Sequence, residues 1–184
     1  GRPTPFAVLA RRQTRGRGRF GRVWHSESAG NLYASFAFRP NVPPAGMQTF
    51  TLWMGLNVCE LLTNFAALSP GIKWPNDIVI DDRRAVGRRK LAGILAEATS
   101  SPDGLQYVIL GIGINLGPAA YPPELSDRAT SIEVELGRPV DGAAVLAEIR
   151  KQTDRPVRYV VNSHWHWDHW YGTETYQRAF PDLR

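Results

Sequence analysis

Between Gln13 and Trp24 the chain reads Gln-Thr-Arg-Gly-Arg-Gly-Arg-Phe-Gly-Arg-Val-Trp, with three glycines and four arginines from Arg15 to Arg22. Glycine permits positive φ and lets a backbone approach a ligand closely. Arginine supplies planar, permanently charged forks that match phosphate oxygens. The stretch therefore predicts a loop that folds around a phosphate-bearing ligand.

Spacing alone leaves several readings open. Gly16, Gly18 and Gly21 form a literal G-x-G-x-x-G, but a dinucleotide fold needs a helix to open there and an acidic residue roughly 20 positions on. Gly16 and Gly21 also fit G-x-x-x-x-G, yet Arg22-Val23 follows in place of the Lys-Ser/Thr that holds phosphate and magnesium. A kinase loop fits through Val23, but no H-R-D or D-F-G follows. A solvated basic loop or a nucleic-acid patch stands on equal terms when composition alone is considered.

Hydrophobic residues make up 43% of the 184, which predicts about one packed domain and excludes a disordered chain. The net charge is +5, and six arginines lie between Arg11 and Arg22. The excess is thus local and fits an anionic ligand at one site better than a generally basic face. The single cysteine, Cys59, forbids an intrachain disulfide and fits a reducing, cytoplasmic compartment. No run approaches the length of a membrane span. The opening Gly1-Arg2-Pro3 lacks signal-peptide form and an initiator methionine, so a fragment or processed chain is expected.

Taken in order, 6–10 reads as a short buried strand, and 31–38 as a second with Leu32, Ala34, Phe36 and Phe38 on one face. From 47 to 66, Phe50, Trp53, Met54, Val58, Leu61, Leu62 and Phe65 recur at helical spacing and predict one long helix with that stripe in the core. Pro75, inside the apolar run 72–80, predicts a strand end that turns. Asp81-Asp82-Arg83-Arg84 reads as a charged turn, and 90–99 and 105–116 as paired strands. Gly111 and Gly113 in the second of these suggest close approach of a backbone or ligand. A helix is expected to start at Asp141, with Val145, Leu146 and Ile149 facing in.

Five motifs, in order, decide among the readings of the loop. They are Gln13-Thr14-x-Gly16-Arg17-Gly18-Arg19-x-Gly21-Arg22-x-Trp24, Gly30-Asn31-Leu32-Tyr33, Lys73-Trp74-Pro75-Asn76-Asp77, Lys90-Leu91-Ala92-Gly93-Ile94-Leu95-x-Glu97 and Gly111-Ile112-Gly113-Ile114-Asn115. Together, over about residues 5–149, they resemble the catalytic core of biotin protein ligases. The resemblance implies an α+β fold, a mixed sheet backed by helices. It implies biotin and ATP as substrates with Mg2+, and a biotin carboxyl carrier protein as lysine acceptor. It implies that Lys73 and Arg19 are catalytic. Gln13, Gly16, Arg17, Gly18, Arg19, Trp24, Lys73, Gly93 and Asn115 are implied to bind biotin or the adenylate, with Trp24 shielding the adenine and Gly93 lining the biotin pocket. Arg15 stands where the family usually has a small residue. The family also has a strand and helix upstream of Gln13, so impaired activity is expected. DNA is not expected as a partner.

After Lys151 the text changes. A strand over 156–163 runs into His164-Trp165-His166-Trp167-Asp168-His169, which holds three of the four histidines. Imidazole and carboxylate at this density are zinc-ligand chemistry. Over about 153–182 the chain resembles the metallo-β-lactamase superfamily, which implies His164, His166, Asp168 and His169 as metal ligands. The chain thus reads as chimeric: 1–150 a biotin-ligase-like core, 151–184 a short strand–helix appendage. Biotin–protein ligation is the expected function. A zinc hydrolase fragment and a non-catalytic binder of biotin or nucleic acid are the alternatives.

Overall fold

The computed structural model describes residues 5–26, 31–40, 47, 49–81, 87–102, 104–118, 121–141, 144 and 147, and the backbone of Val160 and Val161. Its strands are β1 (Phe6–Ala10), β2 (Leu32–Phe38), β3 (Gly71–Lys73), β4 (Asp77–Asp81), β5 (Arg88–Ser101), β6 (Gly104–Ile114) and β7 (Val160–Val161). They form one sheet in the order β3-β4-β5-β6-β2-β1-β7. Every pairing is antiparallel except β1 with β7. Helix α1 (Phe50–Ala66) packs on β3, β4 and β5, and a short α2 (Ile132–Leu136) follows the sheet.

Alternation in the strands sends one set of side chains beneath α1. Leu62 of α1, Ile78 of β4, Leu91 and Ile94 of β5 and Ile114 of β6 are all at most 1% exposed. Gly55 brings the helix close, because a Cβ there would stand 3.2 Å from Ile72 Cδ1. Its helix-propensity cost of about 0.5–1 kcal/mol is offset by that approach. Phe50, Met54, Leu61 and Phe65 are partly buried against the same core. Trp53 departs from the expected stripe and is 57% exposed. It precedes Val58 by five residues, which places it about 140° round the helix from the buried line.

The turn expected at Pro75 is present between β3 and β4, with a cis Trp74–Pro75 bond. Helix α2, which hydrophobic periodicity does not reveal, is set by its ends. The Ser131 side chain accepts from the Val134 N–H at the N-cap, and Gly137 closes the C-terminus at φ 65°. Of the strand expected over 156–163, the described part is β7, beside Leu9 and Ala10. The charged turn beyond Asp81 and most of the helix expected from Asp141 lie outside the described residues.

Candidate active site

The face of the sheet turned away from α1 carries a row of partners read straight from the register. Lys73 pairs with Asp77, Asp77 with Gly93, Gly93 with Gly113, and Gly113 with Tyr33. Directly opposed residues of antiparallel strands share a face, so two adjacent glycines leave a flat, side-chain-free floor at the centre. The next row, Leu95–Gly111–Ser35, continues it.

Lys90 reaches this floor through a break in register. Ile78 pairs with Ala92 but Val79 pairs with Lys90, so Leu91 is an extra residue in β5. Such a bulge re-aims the side chains on one side of it. Leu91 goes to the core, and Lys90 joins Gly93 in lining the cavity. The backbone of Lys90 is clamped: its N–H donates to Arg128 O at 2.9 Å, and its carbonyl accepts from Thr130 N–H at 2.9 Å. Lys90 Nζ lies 2.6 Å from Asp77 Oδ1 and 4.9 Å from the ring centroid of Trp24.

The glycine–arginine stretch forms the roof. It is a laddered hairpin, with Gln13 N–H to Ser26 O at 2.8 Å, Trp24 N–H to Gly16 O at 3.0 Å and Gly18 N–H to Arg22 O at 2.7 Å. At its tip Phe20 and Gly21 have φ of 57° and 72°. Gly16 is required for packing, since a Cβ there would collide with the Trp24 carbonyl oxygen and Ser26 Oγ. Arg17 Nη2 pairs with Glu97 Oε2 at 3.1 Å and ties the roof to β5. Between roof and floor lies a cavity of about 400 Å³. Arg15, Arg17, Arg19, Arg22 and Lys90 face it, against two carboxylates, Asp77 and Glu97. This excess of cations suits a ligand carrying several negative charges. A second hollow of about 600 Å³ lies between the roof and Tyr121–Pro122, and shares Arg15, Arg17, Arg22 and Trp24 with the first. Burial pushes the Tyr121 phenol up, against the lowering influence of Arg89.

Of the residues singled out from sequence, Gln13, Arg17, Gly18, Arg19, Trp24 and Gly93 line the cavity, and Gly16 lines the neighbouring hollow. Lys73 lines neither: it stands at the edge end of the floor row with its side chain exposed. Asn115 also lines neither. It is 4% exposed, and its Nδ2 donates to Thr130 O at 3.0 Å and to Lys90 O at 3.5 Å, so its amide is committed within the fold. Lys90 and Asp77, like Arg15 and Arg22, are cavity residues to which reading the sequence assigned no ligand role. Lys90 and Asp77 sat inside quoted motifs, but strand alternation cannot assign Lys90 a face without the bulge. His164, His166, Asp168 and His169 lie outside the described residues. Among the described residues, no three His, Cys, Asp or Glu side chains cluster to hold a metal. No helix among them is long and apolar enough to cross a membrane.

Comparison with known proteins places this arrangement. The bifunctional ligase/repressor BirA of Bacillus subtilis is 38% identical over 149 residues, which cover 80% of this chain and 44% of that protein. The biotin–[acetyl-CoA-carboxylase] ligase of Paracoccus denitrificans is 37% identical over 139 residues, covering 73% of this chain and 55% of that one. The structure of the biotin protein ligase from Aquifex aeolicus in complex with biotin and ATP superposes with a TM-score of 0.62 at 35% identity, covering 79% of this chain and 57% of that one. The chain thus spans about half the length of these relatives. Residues 129–183 are similar to the Metallo-beta-lactamase superfamily. That stretch includes Thr130, Ser131 and Ile132, which are fully buried in the present fold. Residues 2–115 match the Biotin/lipoate A/B protein ligase family, and the chain belongs to it.

Proposed function

We propose that this chain activates biotin with ATP to biotinyl-5'-adenylate and transfers the biotinyl group to a lysine of a biotin carboxyl carrier protein. The observation that carries the reading is the juxtaposition of a glycine floor with five cations above and beside it. In the first half-reaction a biotin carboxylate oxygen attacks the α-phosphorus of ATP, the α–β P–O bond breaks, and pyrophosphate leaves. In the second, the acceptor amine attacks the acyl carbonyl, AMP leaves, and the amine gives up a proton. Both substrates of the first step are anions, so the site must offset their repulsion and hold them in line. Arg17 and Arg19 supply positive charge from the roof. Lys90, on a backbone clamped by 128–130 and Asn115, supplies it from the floor and takes the catalytic role first assigned to Lys73. Gly93 and Gly113 leave room for biotin to lie on the sheet, and Gln13 stands at the cavity wall to hydrogen-bond it. Magnesium belongs to this reading as the counter-ion of the ATP phosphates, with no protein cage among the described residues. The segment after about residue 150 is a separate appendage in this reading, and zinc would be its ligand at His164, His166, Asp168 and His169.

The test is native mass spectrometry of the chain after incubation with biotin and MgATP. A retained adduct at the mass of biotinyl-adenylate is expected. Lys90→Met should lower its rate of formation by about 100-fold, as for loss of one preorganised charge-stabilising donor, and Lys73→Met by less than about threefold. Absence of any adduct sinks the reading, and the reverse ranking of the two lysines sinks the assignment of Lys90.

A further inference from the structure

The floor made by Gly93 and Gly113 is covered by the side chain of Trp24. A Cβ built on Gly93 would stand 2.6 Å from Trp24 Cζ3, and one on Gly113 would stand 2.8 Å from Trp24 Cε2 and Cζ2. The indole therefore fills the space directly above both glycines, which a planar ligand needs in order to touch the sheet. Three features distinguish this from permanent core packing. The ring comes from the roof hairpin, where its neighbours Val23 and His25 are exposed. Its Nε1 is buried with no hydrogen-bond partner among the described residues, and a buried donor left unsatisfied disfavours the arrangement that buries it. Its face is covered by Lys90 Nζ, which Asp77 also holds, so with the ring in place the lysine is engaged on two sides.

We infer that Trp24 is a displaceable plug: its ring holds the ligand's seat on Gly93 and Gly113, and a ligand that takes the seat evicts it and frees Lys90 from the cation–π contact. The inference rests on the proposed biotin reading for the identity of the ligand. It makes binding and activation one event, since the cation is released to the ligand only as the ring leaves.

The chain holds six tryptophans, so 5-fluorotryptophan labelling with 19F NMR resolves the ring, and Trp24→Phe assigns its signal. The Trp24 signal is expected to show little solvent isotope shift before any addition. Saturating biotin should move it to a solvent-exposed position, and Gly113→Ala, whose methyl intrudes on the ring, should move it the same way without ligand. A Trp24 signal exposed from the start overturns the plug, as does biotin bound by equilibrium dialysis with the signal unmoved. Either result leaves the ligase reading intact. If biotin binds neither the wild-type chain nor Trp24→Phe, the ligase reading falls and the plug falls with it. Biotin bound by Trp24→Phe but not by the wild type, whose ring stays protected, supports a plug too tight for biotin alone to displace.

Discussion

The two faces of the sheet are built from alternate residues of the same strands, and they are finished in opposite ways. Beneath α1, Ile78, Leu91, Ile94 and Ile114 fill the space completely. On the other face, Gly93, Gly111 and Gly113 interrupt β5 and β6 where a packed sheet would carry side chains. The first face is made by filling and the second by omission, and the arginine hairpin covers the second without closing it. One pair of strands can thus hold the fold together and present a binding floor, because the period of two separates the two tasks. Substitutions on the filled face should therefore act on stability, and those on the open face on the ligand.

Leu62→Ala is the strongest test of that division. The side chain is 1% exposed at the centre of the α1 contact, and truncation there should cost about 3 kcal/mol from lost burial and the cavity left behind. Urea denaturation should show a lower midpoint with an unchanged slope. At a temperature where the variant remains folded, its yield of biotinyl-adenylate should match the parent. A fall in yield without loss of folded protein would mean that the faces are coupled through the strands.

How far the sequence disclosed this arrangement follows the same division. The filled face was legible, because Leu32, Ala34, Val58 and Leu62 recur at strand or helix spacing and every one of them is buried. Trp53 misled because it stands at i+3 from Phe50, as a helical stripe requires, yet the buried line through Gly55, Val58 and Leu62 runs at least about 140° away round the helix. The roof was legible as a glycine–arginine loop, and its arginines face the cavity. Its hairpin ladder was not, because backbone pairing such as Gly18 with Arg22 leaves no mark on side-chain pattern. Lys90 was hidden by the bulge at Leu91, where strict alternation would have sent the lysine to the core face. Helix α2 is too short for periodicity, yet Ser131 and Gly137 bracket it, and those two ends were the signal to use.

Asn115 joins the two faces and gives a smaller effect. Its side chain bonds to the carbonyls of Thr130 and Lys90, and its own N–H donates to Leu91 O at 3.0 Å. Asn115→Ala leaves the buried Thr130 carbonyl without that donor, at about 1–2 kcal/mol. It also loosens the backbone that aims Lys90. Thermal unfolding should report the first effect. If the second holds, the rate of adenylate formation should fall at unchanged biotin affinity. Loss of biotin affinity at unchanged rate would point instead to direct ligand contact by Asn115.

The smallest effect sharpens the comparison at the hinge between roof and floor. Arg17 and Glu97 pair at 3.1 Å, but their side chains are 70% and 44% exposed. An exposed pair of this kind contributes about 0.2–1 kcal/mol. Single substitutions would confuse the latch with the charge each residue brings to the cavity: Glu97→Ala makes the site more cationic, and Arg17→Ala makes it less so. A double-mutant cycle cancels those separate charge effects, leaving the coupling between the pair. Measured on the unfolding free energy in low salt, that coupling should be about 0.5 kcal/mol, and it should vanish near 1 M salt as the Debye length contracts to about 3 Å. A coupling that survives high salt would mean the two groups meet in a drier setting than their exposure indicates. The roof would then be fastened to the floor, and a ring such as Trp24 could leave its seat only by moving beneath a fixed hairpin.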